Sequence, residues 1–158
     1  MKKVPDGIKK VAVICLLRSG DKWLLLERKN EPNKGLFTPV GGKLNPFETP
    51  QDAAKREVRE ETGFEVADMD YCGLLVETSP LKYNWVSFVY VTGVDFKDPL
   101  PECNEGILHW VSTENLSSIR MPETDYKIYE FVQQSKKFNF FVEYNKKMEI
   151  LNMKESLH

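Results

Sequence analysis

The sequence predicts one domain of the mixed α/β (α+β) class. Three observations lead there: short β-rich runs punctuated by turn residues, a sharply capped helix between them, and a length of 158 residues without repeat or linker.

The elements follow in chain order. Val11–Leu17 and Trp23–Glu27 are apolar runs separated by Arg18-Ser19-Gly20-Asp21, the pattern of a hairpin. Asn30–Gly35 holds Pro32 and Gly35 and reads as a loop; Leu36–Val40 reads as a strand ending at Gly41-Gly42. Thr49 is a favoured N-cap, Pro50 suits the first helical position, and Asp52 gives a capping-box-like pattern, so a helix runs from Pro50 to Thr62. Gly63 is placed to stop it. Strands are expected at Tyr71–Val76, Trp85–Thr92 and Ile107–Val111. A short helix over Thr113–Ile119, capped by Thr113, and a longer one over Thr124–Lys136 follow. The tail alternates over Phe138–Tyr144, turns at Asn145-Lys146-Lys147 and resumes over Met148–Met153. Trp23 and Phe88 are expected in the core.

Bulk composition excludes several roles. A net charge of -2 gives no general pull toward nucleic-acid backbones or anionic membranes. Lys2, Lys3, Lys9 and Lys10 make only a small basic cluster, which reads as solvated, and no apolar signal-type segment follows it. The longest apolar stretch, Val11–Leu17, is too short to span a bilayer. Cys15, Cys72 and Cys103 form no paired motif, so neither a disulfide framework nor a zinc site is expected. A cytoplasmic location and no membrane partner follow as expectations.

The charge order of an ordinary surface helix is missing from Pro50–Thr62. Glu57, Glu60 and Glu61 cluster beside Ala53, Ala54 and Val58, while Asp52, Lys55 and Arg59 take the opposite side. A solvated, salt-bridged face would put acids early and bases late. Here the acids crowd the C-terminal half, and Glu57 with Glu61 is a like-charge i, i+4 pair that costs roughly 0.2–0.5 kcal/mol. Only Arg56 with Glu60 is a helpful pair. Carboxylates crowded beside an apolar stripe need compensation. A hard divalent cation such as Mg²⁺ supplies it, because it takes oxygen ligands and bridges carboxylates to phosphates.

These residues resemble the complete Nudix box. Gly42, Glu48 and the run Arg56-Glu57-Val58-Arg59-Glu60-Glu61-Thr62-Gly63-Phe64 match its fixed positions, on the loop and helix already inferred. The resemblance implies a mixed β-sheet sandwiched between helices and one Nudix domain over 1–158, with the box at 42–64. It also implies hydrolysis of a nucleotide-like diphosphate with Mg²⁺, or Mn²⁺ in its place. Glu57, Glu60 and Glu61 would be metal ligands, with the Gly41 carbonyl and Glu105 adding to them. Arg56 would hold a box glutamate, and Glu48 with Gly42 and Gly63 would support the loop. Either Glu57 or Glu60 would be the general base. Glu105 also reads simply as a polar turn residue.

Further segments, Gly35–Lys43, Cys103–Val111 and Phe138–Tyr144, resemble the oxidised-purine nucleoside triphosphate diphosphatases, which convert 8-oxo-dGTP to the monophosphate and pyrophosphate. On that resemblance Lys43, Phe37, Thr38, Asp125 and Trp85 would bind substrate, with Trp110 and Tyr126 as further aromatic candidates. The partner is then a small nucleotide, with no nucleic acid. The spacing from Phe64 to Pro80 resembles that of ADP-ribose pyrophosphatases and keeps ADP-ribose as the alternative substrate. A non-catalytic regulator would have lost box residues, and an RNA-end hydrolase calls for a basic track. Oligomeric state is not legible in the sequence.

Overall fold

β1 (Lys10–Ser19) and β2 (Lys22–Arg28) form the expected hairpin, turning at Gly20 with φ of 60°. The structure, a computed structural model, describes residues 8–158; Lys2 and Lys3 of the basic cluster lie outside the described residues. The two strands pair only next to their turn, at Leu17↔Leu24, Arg18↔Trp23 and Ser19↔Lys22. Beyond that they part. β1 takes β4 (Val40–Lys43) as its antiparallel neighbour over Ala12–Cys15, and β2 takes β3 (Phe37–Thr38) at Leu26 and Glu27.

The sheet grows outward from this split. β2 pairs along its length with β7 (Gly106–Ser112), and β1 runs parallel to β6 (Trp85–Gly93). β6 pairs antiparallel with β5 (Asp70–Thr78), β5 parallel with β8 (Phe138–Tyr144), and β8 antiparallel with β9 (Ile150–Glu155). Among the described residues all nine strands belong to one mixed sheet.

Side-chain alternation along the central strands feeds two cores. Val13, Cys15 and Leu17 of β1, with Leu24 and Leu26 of β2, pack with Ala53, Ala54 and Val58 of helix α1 (Pro50–Thr62). Leu16, Trp23 and Leu25 point the other way and join Ile128 and Tyr129 of helix α2 (Glu123–Gln133). The helices therefore cover opposite faces, and each fully buried Leu contributes about 1.5–3 kcal/mol. Trp23 is fully buried as expected, whereas Phe88 is only partly buried, against Tyr71.

α1 is built as its sequence demands. The Asp52 N–H donates to Thr49 Oγ1 at 3.2 Å, and Gly63 takes φ of 76° while its N–H donates to the Arg59 carbonyl. Other boundaries differ from expectation. The run Leu36–Val40 is two short strands divided at Pro39, which has no N–H for a ladder, and Gly41-Gly42 lies inside β4 instead of ending a strand. The short helix is a 3-10 helix, Thr113–Ser118, with Ser112 at its cap position. Thr113 is not the cap because its hydroxyl is engaged elsewhere: it accepts from Trp23 Nε1 and donates to the Asp21 carbonyl. α2 begins at Glu123 and ends before Lys136, where Ser135 turns into φ of 55° and the Lys136 N–H reaches back to the Phe131 carbonyl. In the tail hairpin Asn145 Oδ1 accepts from the Lys147 and Glu149 N–H groups, so the strand resumes at Ile150, later than expected.

Candidate active site

The box loop and helix meet through two glycines. β4 lays Gly41 beside Ile14 and Gly42 beside Val13 of β1, leaving no room for side chains on their far side. A Cβ at Gly41 would stand 2.2 Å from the Val13 carbonyl oxygen, and one at Gly42 would stand 2.3 Å from Glu57 Oε1. Gly42 therefore makes the space in which the Glu57 carboxylate sits. The Gly41 N–H donates to Glu61 Oε2 at 3.1 Å, fixing the buried end of the helix to the strand.

Arg56 organises the remaining acids. Its Nε and Nη2 donate to both oxygens of Glu48, at 2.6 and 2.9 Å, in a bidentate pair. Its Nη1 donates to Glu57 Oε1 at 2.9 Å and to Glu60 Oε2 at 3.1 Å, and Nη2 also donates to the Lys43 carbonyl. The guanidinium hydrogen bonds, with one from the Asn45 N–H, hold the Glu48 carboxyl down at about 2. Glu57 and Glu60 share one guanidinium nitrogen, which keeps their carboxylates close together. Glu60 is exposed, however, and stands outside the cavity wall that Glu57 and Glu61 help to form.

That cavity, of about 1150 Å³, brings together acids that no local motif joins. Glu105, on the turn before β7, enters the same wall as Glu57 and Glu61, with Arg28 Nη1 3.8 Å from its Oε2. Burial first, then the charges of Glu105 and Glu57, pushes the Glu61 carboxyl well above the usual range; burial also raises Glu57. An oxygen-only set of crowded carboxylates of this kind fits a divalent cation. Among the described residues no three His, Cys, Asp or Glu side chains are grouped so as to hold a metal ion by themselves.

The cavity crosses the sheet from β4 through β1 and β6 to β5, three strand spacings or roughly 14 Å. Of the residues expected to bind substrate, Lys43, Thr38, Trp85 and Asp125 line it. Phe37 does not: β-strand alternation points Thr38 inward, and Phe37 packs against His109 at 5.3 Å. Trp110 packs between Phe64 and Phe96, and the Tyr126 hydroxyl donates to the Ile119 carbonyl, so neither ring is in the cavity wall. Thr38 Oγ1 is buried without a hydrogen-bond partner.

At the far end Asp125, in the first turn of α2, is buried, and burial followed by the charge of Glu77 raises its carboxyl to about 8, Arg28 offsetting part of this. Arg28, Glu77, Tyr83 and Tyr144 are cavity residues that the sequence reading missed. The signal for Glu77 was available: it continues the inward row of Leu75 on β5, a position where an acid is out of place.

The comparisons agree with this architecture. The NUDIX domain family model matches residues 8–132, and the chain belongs to that family. The Bacillus subtilis (strain 168) Nudix hydrolase YvcI is 27% identical over 124 residues, 76% of this chain and 77% of its own. The proposed 8-oxo-dGTP diphosphatase YtkD of the same organism is 47% identical over 68 residues, 43% of this chain and 39% of its own. A crystal structure of a mutator MutT protein from Bacillus halodurans superposes with a TM-score of 0.82 at 22% identity, covering 94% of this chain and 99% of that one, and shows the same fold. The chain is a Nudix hydrolase, an enzyme of a family that works on nucleotide substrates with divalent metal ions. No helix among the described residues is long and apolar enough to cross a membrane.

Two outcomes follow. Gly42→Ala displaces the flexible Glu57 carboxylate and not the backbone, so the variant folds while turnover falls at least tenfold; wild-type turnover would show that this position of Glu57 is immaterial. Asp125 keeps its proton to higher pH when folded than when unfolded, so it withdraws stability as pH rises from about 4 toward 8. Glu77, Arg28, Tyr83, Tyr129 and Tyr144 are the groups coupled to it electrostatically. Denaturation at pH 5 and pH 8 should then find Asp125→Asn gaining stability relative to wild type at the higher pH; an equal difference at both would contradict the assignment.

Proposed function

We propose that the protein hydrolyses a purine nucleoside triphosphate, an oxidised purine such as 8-oxo-dGTP foremost, to the monophosphate and pyrophosphate with Mg²⁺. The observation that carries this is one continuous cavity with crowded carboxylates at one end and buried acids beside an indole at the other. Phosphates belong with the first and a base with the second. The YtkD similarity supports the same substrate class.

Glu57, Glu60, Glu61, Glu105 and the Gly41 carbonyl would hold Mg²⁺, which when bound neutralises phosphate charge and acidifies water. Glu57, in the cavity wall, accepts the proton of the attacking water, with Glu60 as the alternative acceptor on the same Arg56 nitrogen. Arg56 keeps both in place, while Arg28, beside Glu105, faces the phosphates. Positioning and charge stabilisation suffice for this chemistry. Trp85 offers the base an aromatic wall, with Lys10 and Lys43 ammonium groups 5.1 and 6.0 Å from its ring centre.

Product analysis over 8-oxo-dGTP, dGTP, other triphosphates, ADP-ribose and a capped RNA tests the reading. Monophosphate and pyrophosphate should form fastest from 8-oxo-dGTP, stop on chelation and return with Mg²⁺, and Glu60→Gln should lose most turnover while remaining folded. AMP and ribose 5-phosphate from ADP-ribose, with triphosphates untouched, would move the assignment to ADP-ribose.

A further inference from the structure

We propose that Met148, in the turn of the tail hairpin, is a substrate-binding residue: its side chain packs on the flat face of the nucleobase. This rests on the reading that a nucleotide base occupies the β5–α2 end of the cavity.

The turn lies at that end. β8 runs parallel to β5 and pairs Val142 with Glu77. Two residues later Tyr144 pairs with Ile150 across the hairpin, and its ring stands 6.0 Å from that of Tyr83. Met148 and Ile150, together with Leu81 of the β5–β6 connection, line the cavity. Leu81 is 43% exposed and Met148 is half-buried. These side chains make an apolar lip on a space whose other end is walled by carboxylates. Apolar surface open at the mouth of a pocket is stabilised by a ligand that covers it.

The backbone at Met148 is unusual. Its φ is 61°, in the left-handed region, where an L side chain is disfavoured and glycine or asparagine is the common occupant. The conformation is held on both sides. Asn145 Oδ1 accepts from the Lys147 N–H at 2.9 Å and from the Glu149 N–H at 3.0 Å. The Met148 N–H donates to the Asn145 carbonyl at 3.0 Å, and the Asn145 N–H donates to the Glu149 carbonyl at 2.9 Å.

A turn that only reverses the chain is better served by glycine at such a position. A methionine held there with its side chain in the cavity wall points to work done by the side chain, since backbone strain of this kind collects at ligand sites. Its chemistry suits the face of a heteroaromatic ring. The chain is unbranched and adaptable, and its polarizable sulfur packs favourably at about 5 Å from an aromatic ring. Trp85 already gives the same cavity an aromatic wall, and the thioether adds a contact from the tail, a segment distant in sequence.

The test is equilibrium binding of dGMP, with Mg²⁺ present, to the full chain and its variants, beside chemical denaturation. Met148→Gly should weaken dGMP roughly tenfold, as loss of one apolar side-chain contact implies. Its denaturation midpoint should stay level or rise, because glycine adopts this φ freely. Met148→Leu, which keeps apolar volume, should hold dGMP affinity within about threefold of wild type. If Met148→Gly fails to fold, Met148→Asn, which tolerates the same φ, should weaken dGMP to a similar extent. Mn²⁺ affinity should not move in any variant, since the carboxylates stand at the other end. Wild-type protein that does not bind dGMP, folded variants that bind it as wild type does, or a parallel fall in Mn²⁺ affinity would overturn the proposal. Triphosphate turnover is read in parallel. Hydrolysis with dGMP affinity untouched by the variants defeats the role of Met148 alone, and weakened dGMP binding without triphosphate hydrolysis defeats the proposed reaction alone.

Discussion

The Arg56 guanidinium is the constraint on which the site depends. It spans Glu48, Glu57 and Glu60 and the Lys43 carbonyl, so one cation fastens the box loop to the box helix. An isolated exposed ion pair contributes about 0.2–1 kcal/mol, and stability is not the main consequence here. The consequence is position. Three carboxylates that would repel one another toward solvent are kept within one guanidinium's reach. Glu61, out of Arg56's reach, is held by the Gly41 N–H instead. The acids of the cavity wall are therefore crowded, and burial with their mutual repulsion holds the Glu61 carboxyl above the usual range, a cost that a bound divalent ion would relieve.

The fold supplies the space. β1 and β2 separate after three residue pairs, and β3 and β4 fill the gap with a Pro-interrupted, glycine-rich segment. Because the cavity runs across strands and not along one, its two ends are contributed by segments distant in sequence. The box and Glu105 build the phosphate end; β5, α2 and the tail hairpin build the other. The tail matters for this reason: Tyr144 belongs to β8 yet completes the surroundings of Glu77 on β5.

What the sequence discloses follows the range of the interactions. α1 was legible to its caps because Thr49, Pro50 and Gly63 act through local geometry. The two-core arrangement was legible in the alternation of β1 and β2. The end of α2 was not, because Ser135 takes a left-handed turn without glycine to announce it. Thr113 was misjudged as a cap because its partners, Trp23 and Asp21, are distant in sequence. The box acids stood out by charge placement alone. Which aromatic ring faces the cavity depends on strand pairing, and there Trp85 alone of the aromatic candidates lines it. Glu77 and Arg28 acquire meaning only when β5, β2 and α2 are brought together.

If the crowded box acids form the site of a divalent ion, the ion binds there without substrate. The most direct measurement is Mn²⁺ binding followed by electron paramagnetic resonance, in the wild-type protein and in Glu61→Gln, without substrate or turnover. The account predicts that wild-type protein depletes the signal of free Mn²⁺ at stoichiometric levels and that Glu61→Gln weakens binding at least tenfold. Equal binding by both proteins would contradict it.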